Sequence, residues 1–325
     1  VMVRVERRLT LLSLMSLFIV GNLISALATS YDTLMAGRII AALCHGAFFS
    51  VGAVVASEMV AENKRAGAIS LMFAGLTVSN VMGVPLGTFL GLQLGWRSTF
   101  WALALIGVVT MVGIWALVPK FPVPVGTSLS KEFGVFRRPQ VWISAAVSVL
   151  AFGGVIGAFT YIAFTITQVG GFSTAMVPWL LVLFGVGTFI GNIVGGKAAD
   201  RALHASLSIL LGLLTVVLVV FALTAHSKIM TVVSLLLMGA VGLATAPGLM
   251  LRMMSHAPDA PTVASGANIA AFNIGNALGA WLGGLALAAG MGFVSPLWAG
   301  AALSLLGLLV LTVGKPGKAL RSASA

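Results

Sequence analysis

Charge is what this chain has least of. Only 8% of its 325 residues are Asp, Glu, Lys or Arg, against about 25% in a soluble domain, too few to cover a water-facing surface. Seven residues are acidic: Glu6, Asp32, Glu58, Glu62, Glu132, Asp200 and Asp259. All lie at the ends of apolar runs or between them, so no acid sits in mid-run and no carboxylate pair suits hydrolysis. The one cysteine, Cys44, lies inside an apolar run, which excludes a disulfide framework and a Cys-based metal site. Nucleophile–base arrangements, metal-ligand clusters and phosphate loops are absent too, so neither enzyme chemistry nor a cofactor nor a metal is expected. The net charge of +11 falls in short clusters with no basic stripe along one face, which argues against nucleic acid.

What the chain has is apolar length. Hydrophobic residues make up 59% of it, with 39 glycines and a mean hydropathy of +1.12, as in closely packed membrane helices. The class expected is an all-α integral membrane protein embedded in a lipid bilayer. Since a span needs about 20 apolar residues, ten spans are expected: 9–28, 33–58, 68–92, 97–118, 140–167, 174–198, 206–225, 229–254, 264–289 and 295–314. The first run is a full span with no small-residue cleavage site after it, unlike a secretory signal. A Pro-, Gly- and charge-rich stretch at 119–139 reads as a linker between an N-terminal bundle, 1–118, and a C-terminal bundle, 140–314, with a tail at 315–325. Alternate loops (the N-terminus, 59–67, 119–139, 197–205, 252–262 and the tail) hold 15 of the 18 Lys and Arg residues. By the positive-inside rule these loops, and both ends of the chain, face the cytoplasm.

An internal repeat runs through the two bundles. "NVMGVPLGTF" from Asn80 and "NALGAWLGGL" from Asn276 share Asn, Gly, Leu and Gly at an offset of 196. "GWRSTFWA" from Gly95 and "GFVSPLWA" from Gly292 share Gly, Ser, Trp and Ala at 197. Such matches imply two parallel halves related by an axis along the membrane normal. Six spans follow the linker and four precede it, and the offset aligns Val1 with Lys197. A twelve-helix parent is therefore expected, of which this chain lacks the first two helices.

Two six-helix halves, a cytoplasmic linker and four motifs resemble the major facilitator superfamily, and within it the twelve-span drug:proton antiporter branch, in its arabinose-exporter-like, sugar-efflux-like and chloramphenicol-exporter-like group. Gly75 to Gly87 is similar to the branch's antiporter motif, although Val84 separates Gly83 from Pro85, with Gly87 following. "LMAGRIIAALCHGA" at 34–47 resembles a fourth-helix motif with an embedded arginine, here Arg38. "GGKAADRALH" at 195–204 resembles the second-half Gly-x-x-x-Asp-Arg loop motif, through Gly196, Asp200 and Arg201. "ASGANIAAFNIGNALGAWLGG" at 264–284 is similar to the group's eleventh helix. The resemblance implies the major facilitator fold, in a bacterial inner membrane, as a monomer. It implies proton-coupled efflux of a small amphiphilic drug or metabolite by alternating access. A sugar or nucleoside transporter of the same fold and a truncated, non-transporting product are the alternatives.

The residues themselves support parts of this. An arginine inside a span costs roughly 3 kcal/mol on insertion scales, so Arg38 faces a cavity or partner or else snorkels to an interface. His45, seven residues on, shares nearly the same helix face and can change charge near neutral pH. The two are candidates for proton coupling, or His45 for a helix–helix hydrogen bond. Asn80, Asn273 and Asn276 are amides in apolar runs that either bridge helices or line a cavity. Bridging is favoured for the repeat mates Asn80 and Asn276, a substrate role for Asn273. Phe159, Tyr161, Phe164 and Gln168, with Phe272 on the later helix, suit an amphiphilic substrate as well as ordinary packing. Asp200 and Arg201 form either a cytoplasmic gate or a surface ion pair of little worth. Finally, Gly83, Gly87 and Gly91 place a bare stripe for a neighbouring helix. Pro85 occurs in the first copy alone, opposite Trp281. The glycines are accordingly assigned to the fold and the proline to the direction of transport.

Overall fold

A computed structural model of the chain describes residues 6–120 and 134–314. The side chains of His45, Thr77, Asn80, Val81, Val84, Pro85, Thr88 and Leu92 lie outside the described residues, as do most of the expected linker and the whole tail. Among the described residues every regular element is helical. That is what hydrocarbon demands, because an α-helix satisfies its own backbone polar groups.

Ten α-helices of eleven residues or more follow in order: α1 (Arg7–Ala26), α2 (Tyr31–Glu58), α3 (Arg65–Val78), α4 (Val84–Leu94), α5 (Arg97–Leu117), α6 (Pro139–Thr160), α7 (Val177–Thr224), α8 (Lys228–Ser255), α9 (Pro261–Ala288) and α10 (Ser295–Val313). A π turn, Ser79–Gly83, joins α3 to α4, so 65–94 is one helical run interrupted once. The wide turn ends two residues before Pro85, a residue type with no N–H to donate to a regular ladder. A second π turn, Thr165–Val169, ends the stretch after α6. Helix α7 has 48 residues, about 72 Å at 1.5 Å per residue, more than twice the ~30 Å hydrocarbon core. It is broken at Ala202, whose φ of −154° and ψ of 80° are not helical. Eight helices among the described residues are long and apolar enough to cross a membrane, all of those above except α3 and α4.

The chain divides into two compact units. One comprises the segment to Val55 with Met82–Gly134; the other comprises Ala56–Val81 with Val135 onwards. Helix α3 therefore packs with helices from beyond the linker.

In the first unit α1 meets α2 at two glycines. A Cβ on Gly21 would stand 2.8 Å from the Gly37 carbonyl oxygen, and one on Gly107 of α5 would stand 2.8 Å from Ile19 of α1. Leu11, Met15, Val51, Val55 and Ile114 form the core there.

The second unit is knitted by rows of glycine four residues apart. Gly187, Gly191 and Gly195 of α7 lie directly against the α8 backbone at Leu236, Ala240 and Ala244. Gly153 and Gly157 of α6 lie against Gly275 and Gly279 of α9, and Gly154 of α6 against Gly300 of α10. With no hydrophobic drive between helices in lipid, this close contact supplies dispersion energy. Around the rows Val155, Ile166, Leu214, Leu218, Phe221, Leu235 and Met238 form a buried core.

Candidate functional site: an aspartate that caps a distant helix

The first turn of α3 has backbone N–H groups with no partner in their own helix, and its preceding residue, Lys64, offers no side-chain cap. The partner comes from more than 130 residues away. The Asp200 carboxylate accepts from the N–H of Ala66 at 2.7 Å and of Gly67 at 2.8 Å. A carboxylate there is held by two charge-assisted hydrogen bonds and by the positive end of the helix dipole. The approach requires small residues, since a Cβ on Gly67 would stand 3.1 Å from Asp200 Oδ2.

One turn back on α7, a Cβ on Gly196 would stand 2.6 Å from both Cβ and Oγ of Ser70 on α3. A further turn back, the buried Asn192 donates through Nδ2 to the Ser70 carbonyl at 2.5 Å. Asn192, Gly196 and Asp200 thus line one face of α7 at four-residue spacing and clasp the start of α3. Sequence reasoning picked out Gly196 and Asp200 and missed Asn192; the signal was present in that spacing. Arg201, the next residue, is exposed and has no partner among the described residues. Asp200 therefore engages a helix end rather than forming an ion pair with its neighbour.

The end of α8 holds a buried cation. Arg252, in the last turn of α8, is fully buried, and its Nε, Nη1 and Nη2 have no hydrogen-bond partner among the described residues. His204 Nδ1 and His256 Nε2 are also buried without one. Burial, and then the Arg252 charge, lower the His256 pKa from the usual 6.5 to about 4, so this imidazole is neutral at physiological pH. Arg138 pairs with Asp259 and donates to the His256 carbonyl at 3.1 Å. Sequence reasoning counted Arg252 with a loop; its flanks, "GLMLRMMSH", are the only hint of its burial.

The remaining candidates fall into separate groups. Phe272 is buried, stacked on Phe152 at 3.8 Å, with Phe73 of α3 edge-on at 6.4 Å. Phe159 stacks on Phe184 at 4.2 Å, against the core. Tyr161 donates to the Ala280 carbonyl at 2.9 Å, and its ring lies over Gly283 and Gly284. Phe164 is half exposed and stacks on Phe293, and Gln168, in the second π turn, is exposed. Asn273 is exposed and donates to the Ile269 carbonyl of its own helix at 2.9 Å, while Asn276 holds a buried Oδ1 without a partner among the described residues.

Asn268, one turn before Phe272, was not anticipated: it is fully buried and accepts from Ser148 at 2.6 Å. In the first unit the Arg38 guanidinium stands 5.6 Å from the Phe100 ring, a cation–π contact. Gly75 and Gly83 are exposed. The side chains of His45, Asn80 and Pro85 are outside the described residues. No group of three His, Cys, Asp or Glu suited to a metal occurs among the described residues.

Comparison with known proteins agrees with a helical transporter. The inner membrane transport protein YdhP of Escherichia coli O157:H7 is 41% identical over 305 residues, 94% of this chain and 78% of that protein. A chloramphenicol resistance protein of Streptomyces lividans is 31% identical over 94% of this chain and 79% of its own length. A crystal structure of the E. coli fucose:proton symporter FucP superposes with a TM-score of 0.80 at 14% identity, over 97% of this chain and 85% of that one, a likeness of fold alone. The family model for the Major Facilitator Superfamily matches residues 1–279. With a clasp between helices from either side of the linker, relatives that are membrane transporters and a family match over most of its length, the chain belongs to the Major Facilitator Superfamily.

Proposed function

We propose that this transporter exports a small amphiphilic drug or metabolite against inward proton flow, by alternating access, and that the clasp of α7 on α3 is its cytoplasmic gate. The observation that carries the reading is Asp200 on the Ala66 and Gly67 N–H groups. Hydrogen bonds between a carboxylate and a helix end can be exchanged for water as a unit, whereas a buried apolar seam resists wetting. Ten spans fit this reading: the break at Ala202 divides α7 into arms 177–201 and 203–224, each long enough to cross, and 65–94 supplies a further crossing. Two bundles, 1–118 and 140–314, joined by a linker and moving about a central site, are part of the proposal. So are a cytoplasmic location for both ends, a bacterial inner membrane and a monomeric state.

Arg38 and His45 bear on proton coupling in this reading. Asn273, Asn276, Phe164 and Gln168 contact substrate, because each keeps exposed surface or an unpartnered amide. Phe159, Tyr161 and Phe272 support that surface through the contacts described above. Asn80 bridges helices or lines the cavity, Gly75, Gly83 and Gly87 of the antiporter-like motif belong to the fold, and Pro85 bears on the direction of transport. The chloramphenicol resistance protein among the relatives supports an antibiotic-type substrate over a sugar. The test is transport in proteoliposomes under an imposed proton gradient, with chloramphenicol and other amphiphilic antibiotics as probes. Gradient-driven movement that falls at least about tenfold in Arg38→Ala is expected. Movement driven only by sugars, or undiminished in Arg38→Ala, contradicts the reading.

A further inference from the structure

The turn into α5 and the turn into α10 carry the two copies of one repeat, "GWRSTFWA" and "GFVSPLWA", and their backbones agree closely. Gly95 and Gly292 both have a φ of 82°, in the left-handed region that favours glycine. Ser98 donates to the Gly95 carbonyl at 2.7 Å, and Ser295 to the Gly292 carbonyl at 2.8 Å. The side chains on this common turn differ. Trp96, Arg97 and Phe100 of the first copy stand opposite Phe293, Val294 and Leu297 of the second. Leu297 is fully buried in the core of its own unit, which is ordinary packing.

In the first copy the three residues form a ladder of charges and rings. Arg97 donates through Nη2 to the Ala28 carbonyl at 2.7 Å, which ties the start of α5 to the chain just past α1. The same guanidinium lies 4.3 Å from the Trp96 ring. Trp96 meets Phe100 at 5.9 Å with the ring planes at 85°, an edge-to-face pair that fixes both planes. Phe100 in turn faces the Arg38 guanidinium of α2 at 5.6 Å. Arg38 drops out of the second copy together with its ring. At the repeat offsets of 196 and 197 it aligns with Ser234 and Leu235, both uncharged. The glycine–serine turn is thus common to both copies, whereas the arginine and its aromatic support occur in the first alone.

We propose that Phe100 is a positioning residue for proton coupling, whose ring holds the Arg38 guanidinium in the orientation that coupling needs. The inference rests on the reading of Arg38 as a coupling residue and adds the group that holds it. A ring face attracts the charge without using the N–H edge of the guanidinium, which stays available to water or to a carboxylate. The attraction is strongest away from water, which suits a cation about 10 Å along α2 from Tyr31. Trp96 and Arg97 act one and two steps further back, by fixing the plane of the Phe100 ring.

The test replaces Phe100 with mono-, di- and trifluorinated phenylalanine, which weaken the negative face of the ring in steps and change its size little. Melting temperature is measured for each ring with Arg38 and with Arg38→Gln. Chloramphenicol movement in proteoliposomes is measured under an imposed proton gradient and, for comparison, as exchange without one. With Arg38 present, gradient-driven movement is expected to fall in steps to about a tenth at the trifluorinated ring, while exchange stays within about twofold. The melting temperature is expected to fall in the same order. In Arg38→Gln the same rings are expected to change gradient-driven movement less than about twofold and to leave the melting temperature level, because the pairing is already absent. Phe100→Leu, which matches the second copy, is expected to behave as the trifluorinated ring does, and Phe100→Tyr to keep most of the rate. Equal losses in both Arg38 backgrounds, no loss in a folded trifluorinated protein, or exchange that falls as far as gradient-driven movement overturns the proposal while leaving Arg38 in the coupling. Parent movement that no gradient drives overturns the coupling reading itself, and the melting series, which needs no transport, tells that failure from loss of the pairing.

Discussion

Along α9, Gly275, Gly279 and Gly283 meet α6 closely: a Cβ on Gly157 of α6 would stand 2.7 Å from the Gly279 carbonyl oxygen, and one on Gly283 3.0 Å from the Tyr161 ring. Along α4, which carries the other copy of the pattern, a Cβ on Gly87 would meet nothing within 4 Å among the described residues of its own unit. One on Gly91 would meet only the Thr99 methyl, at 3.7 Å. Among the described residues the same spacing thus serves as a packed seam in one copy and, within its own unit, as a stripe that no backbone approaches at Gly87 and Gly91 in the other. A glycine row removes side chains from a helix face; which helix then fills the space is decided by the neighbours. The close approach expected along both copies is found along α9 and, among the described residues of its own unit, is not made at Gly87 or Gly91. In place of a seam, the first copy has the π turn Ser79–Gly83.

Substitution breaks the comparison most sharply. Gly279→Leu forces side-chain atoms into the α6 backbone and is expected to lower the melting temperature in detergent by roughly 6–12 °C, with loss of folded yield. Gly87→Leu is expected to shift it by less than about 2 °C. Equal shifts would show that the two copies do the same work.

Gly196 is another closely approached glycine, at the clasp rather than in a seam. Gly196→Val is expected to leave a folded protein whose transport falls at least about tenfold, since the extra carbons hold α3 away. Normal transport would mean that the clasp need not close.

Tyr161→Phe removes one hydrogen bond, to Ala280, and keeps the ring over Gly283. A loss of about 1 kcal/mol, or 2–4 °C in melting temperature, is expected. A larger drop would make the hydroxyl, rather than the glycine contact, the main tie between α6 and α9.

A pH-dependent effect probes the unit that holds the packed copy. His256 titrates near pH 4 in the fold and near 6.5 when unfolded. The unfolded chain therefore binds the extra proton between those values, so stability is full above about pH 6.5 and falls as pH drops towards 4. Melting temperature measured over that window should flatten in His256→Gln. An unchanged slope would place the acid sensitivity elsewhere.

Much of the fold was legible before any coordinates. Eight of the ten expected spans overlap a helix or helical run of their own, because apolar length is set by bilayer thickness and little else. The exception is the pair 174–198 and 206–225, which form the single helix α7 with a break at Ala202; charge marks where a span leaves the membrane without saying whether the helix stops. The clasp was half legible: Asp200 and Gly196 stand in a motif, while Asn192 looks like any amide in an apolar run. Its partners Ala66 and Gly67 are backbone donors with no side-chain signature at all. Tyr161 and Phe159 have aromatic character that suits a pocket equally well, and only their neighbours show that they pack. Arg252 was the least legible, since a basic residue at the end of a span ordinarily reaches water.

The account turns on the α3–α7 contact opening and closing during transport. Spin labels at Lys64→Cys and Ala205→Cys, both exposed positions, in the Cys44→Ala background report that distance by pulsed electron resonance in lipid. Two distance populations that exchange weight when pH or a transported antibiotic is changed, with Asp200→Asn shifting the balance to the longer, are the predicted result. A single distance, unmoved by pH, by ligand and by Asp200→Asn, would contradict it.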